Sequence, residues 1–349
     1  MIALITNHLQ RYPKMQPQDV VKLMYQHEFG CGHMVINPQS SLLRLQEEVL
    51  HICKEKIEEA QLFEQIGNKL CRINLNELEN RGSLETLNCV FVYTANCIKG
   101  NITSFEQKLE VLKADTKDMD FLFSHTKFCD YLHEYKILGY PVVSHSEEYK
   151  LAYRPSYRVI IQEYEKYFSV FCKIDALLKT GKNITIAIDG NCASGKSTLA
   201  QFLSKIYDCN VISMDDFFLQ SHQKTKERLF EIGGNIDYER FMHQVVKNIE
   251  NSRQIAYEQY NCQTQVLDNL VYLMPKKLTI IEGVYSMRDD FLGVYDLKIF
   301  LSIDPVQQLD RILKRNGAEM QLHFQSEWIP LENQYFDNRN IAQKCDLVY

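Results

Sequence analysis

Residues 184–198 read ITIAIDGNCASGKST, an apolar run that ends in a glycine-bounded turn and opens into a new helical pattern. Within it, Gly190, Gly195, Lys196 and Ser197 satisfy the G-x-x-x-x-G-K-[ST] spacing of a phosphate-binding loop. Ile184, Ile186 and Ile188 are β-branched and lead directly into Asp189 and Gly190, whereas Leu199, Phe202, Leu203 and Ile206 recur at helical spacing. The loop is therefore expected between a strand and a helix. Glycines let successive backbone N–H groups converge on phosphate oxygens, and the helix after them adds its positive end. The candidate nucleotide-binding loop comprises Gly190, Asn191, Cys192, Ala193, Ser194, Gly195, Lys196, Ser197 and Thr198. Lys196 supplies a point charge for the β and γ phosphates, and the Ser197 hydroxyl is a ligand for the Mg²⁺ that bridges them. The expected ligands are ATP and Mg²⁺.

Reading onward, residues 210–213 form a short apolar run into Met214-Asp215-Asp216-Phe217-Phe218. Gly233-Gly234-Asn235 reads as a turn before a helix over 238–249. Further apolar runs at 278–281 and 297–303 lead into Glu282-Gly283 and Asp304-Pro305, the second opening a helix over 306–314, and residues 347–349 form a fifth strand. Apolar strands alternating with helices predict a parallel sheet covered on both faces. Ligands of such sheets bind beyond the carboxyl ends of the strands. Gly190, Asp215 and Glu282 fall at three such ends. A magnesium triphosphate needs carboxylates near the metal, and transfer to an alcohol benefits from a carboxylate that accepts the hydroxyl proton. Asp215 and Glu282 are the candidates, and with Ser197 they form the expected Mg²⁺ set.

Taken in order, DGNCASGKSTLA, ISMDDFF, GGNIDYERF, LTIIEGVYS and LKIFLSIDPVQQLDRILKR make residues 183–349 resemble the uridine kinase and phosphoribulokinase group of P-loop kinases. The resemblance implies an α/β, P-loop NTPase-type domain whose phosphate-loop strand is central, with the strands leading to Asp215 and Glu282 beside it. It implies Lys196 and Ser197 on phosphates and Mg²⁺, Asp215 as general base, and Glu282 near metal and acceptor. Arg311, with a catalytic role, and Arg315, with a nucleotide-binding one, would belong to the helix and lid that close over the nucleotide. The implied activity is transfer of the γ-phosphoryl group of ATP to a hydroxyl of a nucleoside- or sugar-like small molecule. Two stretches depart from the family. Tyr257-Glu258-Gln259-Tyr260-Asn261-Cys262-Gln263-Thr264 stands where uridine kinases carry an aromatic-Asp stretch followed by a His and an Arg. After Arg315 the chain continues Asn316-Gly317-Ala318-Glu319, without the dense arginines of a typical lid. The acceptor therefore stays open, as do an ATPase or switch whose helical domain binds a partner and a catalytically silent nucleotide-binding protein.

At 349 residues, two domains are expected, 1–180 mostly helical and 181–349 the kinase domain. Pro17 and Asp19 open a helical pattern through Tyr25, which His27-Glu28-Phe29-Gly30-Cys31-Gly32-His33 breaks. Ser40 and Ser41 are candidate caps for a helix over 42–53. Residues 70–75 suggest a strand, and helices are expected over 84–98, 105–112 and 121–138. The segment 144–155 is polar and turn-prone. A long amphipathic helix with Ile160, Ile161, Tyr164, Phe168, Phe171, Ile174 and Leu178 on one side is expected next, ending at Thr180-Gly181. The His27–His33 segment lacks the H-E-x-x-H spacing that sets two imidazoles on one helix face, so a structural turn, a metal site and a substrate-facing loop with His145 and Arg154 all stay open. Hydrophobic and charged fractions of 45% and 24% suit a soluble globular protein, and a net charge of −6 argues against a nucleic-acid partner. No apolar stretch is long enough to span a membrane. Eleven cysteines without a paired framework and no signal peptide fit thiols in a reducing cytoplasm. A homo-oligomer is compatible with the sequence.

Overall fold

Helices and one antiparallel sheet build Met1–Cys172, the first of two units into which the chain divides; the second is Lys173–Tyr349. The computed structural model describes residues 1–52, 61–78, 82–115 and 123–349. In the first unit, β1 (Phe63–Gly67), β2 (Leu70–Asn74) and β3 (Tyr157–Ile161) form an antiparallel sheet in the order β1-β2-β3. Helices Pro17–Phe29, Ile102–Asp115 and His125–Ile137 pack their apolar faces together, burying Val20, Leu23, Met24, Phe105 and Phe128. Burial of such side chains stabilises by about 1.5–3 kcal/mol each.

Several expectations for this unit need correction. Ile160 and Ile161 lie in β3, not on a long helix; the run Val159-Ile160-Ile161 is β-branched, and strand pairing with Leu70 and Cys71 outweighs its accidental helical spacing. Helices resume at Gln162–Lys166 and Phe168–Leu178. The cap before the third helix, Pro38–Leu50, is Asn37, whose Oδ1 accepts from the Ser40 amide at 3.0 Å, and Pro38 fixes the first turn. The expected end of that helix at Cys53, and the start of another at Phe121, lie outside the described residues. The segment 144–155 contains the helix Glu147–Tyr153, capped by the Ser146 hydroxyl at 3.1 Å from the Tyr149 amide. The helix Pro17–Phe29 continues through His27 and Glu28, where Glu28 accepts from the Asn101 amide, Ser104 Oγ and Lys108 Nζ at 2.8, 3.1 and 2.5 Å. Glu28 thus ties down the start of the helix Ile102–Asp115. Among the described residues no cluster of three or more His, Cys, Asp or Glu is grouped to hold a metal.

In the second unit, β4 (Ile184–Gly190), β5 (Cys209–Ser213), the hairpin β6 (Ile255–Asn261) and β7 (Val266–Leu273), β8 (Leu278–Glu282), β9 (Leu297–Leu301) and β10 (Leu347–Val348) come in turn. Five of them form a parallel sheet in the order β10-β9-β4-β8-β5. Every residue of β4 and β8 is buried, which matches their apolar character on both faces. The order corrects one expectation: β8, leading to Glu282, lies beside β4, but β5, leading to Asp215, lies one place farther out at the sheet edge. Local apolar pattern encodes strands but not their lateral order, which the crossovers set. Because the chain turns to opposite sides of β4 in reaching β8 and β9, the carboxyl end of β4 is a topological switch point. The β6–β7 hairpin occupies the stretch that departs from the family pattern. The helix expected over 306–314 extends over Pro305–His323, with a break at Gly317, where φ is 81°. No described helix is long and apolar enough to cross a membrane, and the ten described cysteines are free thiols.

Candidate active site

The central strand ends in a fixed backbone turn. Asp189 is fully buried there, its carboxylate accepting from the amides of Gly190 and Met287 at 2.7 and 3.0 Å and from the Tyr335 hydroxyl at 2.8 Å. Burial raises its pKa, against these hydrogen bonds and the charge of Lys196. Gly190 has φ 135° and pairs with Leu301 of β9, so close that a Cβ would stand 2.0 Å from the Leu301 carbonyl oxygen. Gly195, φ 109°, caps the helix Lys196–Ile206, while Ala193 adopts φ 60° without being a glycine. The first N–H groups of that helix have no intrahelical acceptor and present the positive helix end beyond the sheet.

Side chains then fill the loop. The buried Lys196 ammonium donates to the carbonyls of Gly190 and Asn191, both at 2.8 Å. Ser197 Oγ donates to both oxygens of Glu282 at 3.1 Å. Thr198 is exposed one residue on. Glu282, the last residue of β8, is buried; burial and then the charge of Asp215 raise its pKa, while Lys196 and hydrogen bonds from Ser213 and Ser197 oppose the rise. Asp215 sits on the turn Met214–Phe217 after β5. Its surface is exposed, yet the protein crowding around its carboxyl raises the pKa, Asp216 adds to the rise, and Lys196 and Arg315 counter it. The two acids and the loop lysine thus share one electrostatic neighbourhood. Arg311 donates to the Ala193 carbonyl at 3.0 Å, bracing the loop from the helix Pro305–His323. Arg315 lies over the ring of Phe324 at 6.0 Å and bears on Asp215 by charge alone.

The structure adds groups that the sequence did not single out. Glu332 Oε2 accepts from the Cys192 amide at 2.9 Å, and Gln308 Nε2 donates to the Cys192 carbonyl at 3.1 Å. Neither lies near the loop in sequence, and no motif flags them. Asp189 did carry a signal, as a lone carboxylate in an otherwise apolar strand. Beside Asp215, Asp216 accepts from Tyr257 Oη at 3.0 Å and Gln259 Nε2 at 3.1 Å, and Arg240 clamps the carbonyls of Asp216 and Glu258 at 2.6 and 2.7 Å. The turn bearing Asp215 is thereby fixed to β6. Cys262, just past the end of β6, has its thiol pKa raised by burial and then by the charges of Asp215 and Asp216. In the first unit, the segments around His27 and His145 meet at Tyr157, whose hydroxyl accepts from Gln26 Nε2 at 3.2 Å and hydrogen-bonds His145 Nε2 at 2.7 Å. His27 contacts Lys108 at 3.2 Å, whereas His145 hydrogen-bonds Asp19 and Tyr157 at 2.8 and 2.7 Å.

Residues 185–320 match the family described as phosphoribulokinase / uridine kinase; residues 1–184 lie outside the match. The chain is 26% identical over 171 residues to 029R, a candidate kinase of Invertebrate iridescent virus 3, covering 47% of this chain and 85% of that one. It is 25% identical over 144 residues to a phosphoribulokinase of Synechocystis, covering 39% of this chain and 42% of the relative. Among solved structures, a candidate uridine kinase of Bacillus stearothermophilus aligns with a TM-score of 0.39 at 24% identity, over 52% of this chain and 99% of the other.

Proposed function

We propose that this chain, whose second unit carries the sequence of the phosphoribulokinase / uridine kinase family, is an ATP-dependent kinase that phosphorylates a hydroxyl of a small molecule. The observation that carries the reading is the contact of Ser197 Oγ with both Glu282 oxygens, beside Lys196 and under the charge of Asp215. A loop that only bound nucleotide would need the amides and the lysine, but not a second acid at the end of β5. Mg²⁺ favours one or two carboxylates together with substrate phosphates, and Ser197, Glu282 and Asp215 offer that donor set. When bound, the ion would offset charge on the β and γ phosphates.

In the proposed reaction the acceptor oxygen bonds to the γ phosphorus while the bond from that phosphorus to the β–γ bridging oxygen breaks. ADP leaves with the electron pair, and the hydroxyl proton passes to Asp215. Lys196 stabilises charge on the transferring group, and Arg311 holds the loop that positions it. Arg315, at the break before Gly317, is the lid residue closest in effect to the base. Asp216, Tyr257 and Gln259 fix the base and begin the acceptor wall. The test is incubation with ATP, Mg²⁺ and a panel of nucleosides, sugars and pantothenate-like alcohols. Acceptor-dependent ADP release with a phosphorylated product supports the proposal; hydrolysis without such a product, or binding without turnover across the panel, overturns it.

Two further outcomes are expected of the site. Asp215 accepts a proton only when ionised, and its pKa lies above the ordinary 3.8, so kcat/KM should fall on the acid side at a pH above the usual carboxylate range. A pH–rate profile whose acid limb lies at or below pH 3.8 would remove Asp215 from the base role. Ser197→Ala should raise the Mg²⁺ concentration for half-maximal rate about tenfold, the scale of one lost bond to a charged group. Magnesium titrations of parent and variant at fixed ATP give that ratio, and an unchanged midpoint would remove Ser197 from the metal set.

A further inference from the structure

The first unit has a concavity of about 180 Å³, walled by residues of β1, β2, β3 and the helix Glu147–Tyr153. Its charged side chains are already engaged. On β2, the buried Arg72 donates to Glu64 Oε2 at 2.9 Å and to Gln26 Oε1 at 2.9 and 2.7 Å. Arg11 donates to Gln61 Oε1 at 3.0 Å and lies 3.8 Å from Glu64, and Arg154 has partners of its own. Burial works against ionising Glu64, yet hydrogen bonds from His8 and Tyr12 and the charges of Arg72 and His8 hold its carboxyl well below the usual range. What the lining offers a ligand is therefore hydrogen bonding, not a spare charge.

The group that points to a ligand is Tyr149. It lines the cavity and is only 2% exposed, yet its hydroxyl makes no hydrogen bond among the described residues. The oxygen is not fully enclosed either, so it opens on the cavity. A parallel stack on His145 at 4.1 Å holds the ring, and Asp19 holds His145 at 2.8 Å. The hydroxyl thus stands at a fixed point, to be paired by whatever fills the space. Around it the lining mixes donors and acceptors. Arg72 uses three of the five N–H groups of a guanidinium. Asn74 Oδ1 accepts from the Asn76 amide and Asn76 Nδ2 at 3.0 and 3.1 Å, which leaves Asn74 Nδ2 and Asn76 Oδ1 unbonded among the described residues. Tyrosines supply an apolar side: Tyr153 meets Tyr149 and Tyr12 at 4.8 and 5.0 Å. Aromatic walls with a few convergent polar groups are the form of a small-molecule pocket.

We propose that this concavity binds a neutral polyhydroxylated molecule of monosaccharide size. A hydroxyl donates and accepts at once, so it satisfies a lining that mixes both, whereas a phosphate or carboxylate only accepts and would face the Glu64 carboxylate. The tyrosine rings give the C–H face of a sugar a surface to pack on. The volume lies below the roughly 300 Å³ at which pockets for drug-sized ligands begin, which suits one sugar ring and not a nucleotide. The site lies wholly within Met1–Cys172 and does not depend on the activity proposed for the second unit.

Calorimetric titration of the full chain without nucleotide tests this with ribose, glucose and myo-inositol, against glucuronate and glucose 6-phosphate as charged counterparts. At least one neutral polyol should bind saturably, and at least about tenfold tighter than either anion, because like charges brought together cost several kcal/mol. Tyr149→Phe should weaken that polyol by about three- to tenfold, the scale of one neutral hydrogen bond. Phenylalanine keeps the stack on His145 and loses only an unpaired hydroxyl, so in scanning calorimetry the variant should melt at or above the parent temperature. The same variant locates the site, since a sugar held in the second unit would not respond to it. No saturable binding among the three polyols, an anion bound as tightly as the best of them, or a Tyr149→Phe variant that binds as the parent does overturns the proposal. So does a Tyr149→Phe variant that melts lower, which would assign the hydroxyl to the fold.

Discussion

Asp215→Asn is expected to lower kcat by about 10²- to 10⁴-fold, the range for removing a general base, while the dissociation constant for ATP stays within about threefold. The amide has the shape of the carboxylate but cannot take the proton from the acceptor hydroxyl. The backbone hydrogen bond from the Asp215 amide to Ser213 Oγ, at 3.3 Å, is untouched. Asp216, which fixes the turn through Tyr257 and Gln259, also remains. Loss of the charge removes repulsion from Glu282 but also one charged donor of the proposed Mg²⁺ set, so the ATP dissociation constant is measured at saturating Mg²⁺. Steady-state kinetics with the identified acceptor, alongside nucleotide titration, separate the two effects. Turnover at the parent rate would remove Asp215 from the mechanism.

Gly190→Ala is expected to destabilise the second unit by on the order of 3 kcal/mol, the sum of left-handed strain and overpacking. For a unit of this size that corresponds to roughly 6–12 °C in melting temperature. The clash has no soft partner: the added Cβ would meet the Leu301 carbonyl oxygen at 2.0 Å and its amide nitrogen at 2.7 Å, both in the neighbouring strand. Relief requires parting β4 from β9 where the phosphate loop begins, so nucleotide binding should fall as well. Trp328, the only tryptophan, lies in this unit and reports its unfolding. Gly293→Ala is the control, since nothing lies within 4 Å of the added carbon, and it should melt with the parent. Equal melting of the two variants would mean that β9 yields at Leu301.

The phosphate loop could be read from sequence because its determinants are local: a β-branched strand, glycines at the turns and a helix, all within residues 184–206. Asp215 and Glu282 could be read as strand ends for the same reason. The lateral order of the sheet could not, since the place of β8 between β4 and β5 depends on crossovers many residues long. The fate of Ile160 and Ile161 was hidden differently. Their spacing with Tyr164 and Phe168 suits a helix, and only pairing with β2, some ninety residues away, makes 157–161 a strand. Glu332 and Gln308 reach the loop from distant helices, through single contacts that leave no pattern. In the first unit, Arg72, Glu64 and Tyr157 meet from three separate strands, and no sequence motif flags them.

The family match stops at residue 320, yet the loop it contains is completed by side chains from the last thirty residues of the chain. Glu332 takes the Cys192 amide and Tyr335 takes the Asp189 carboxylate. β10 extends the sheet beyond β9, and Tyr349 exchanges backbone hydrogen bonds with Ser302 and Phe300 at 2.8 and 3.0 Å. A fragment cut at the edge of the recognisable sequence would leave the Cys192 amide without its acceptor, the buried Asp189 short of one of its three donors, and one side of the sheet stripped. The recognisable stretch and the unit able to fold are different lengths of chain, and excision of the second unit should run through Tyr349.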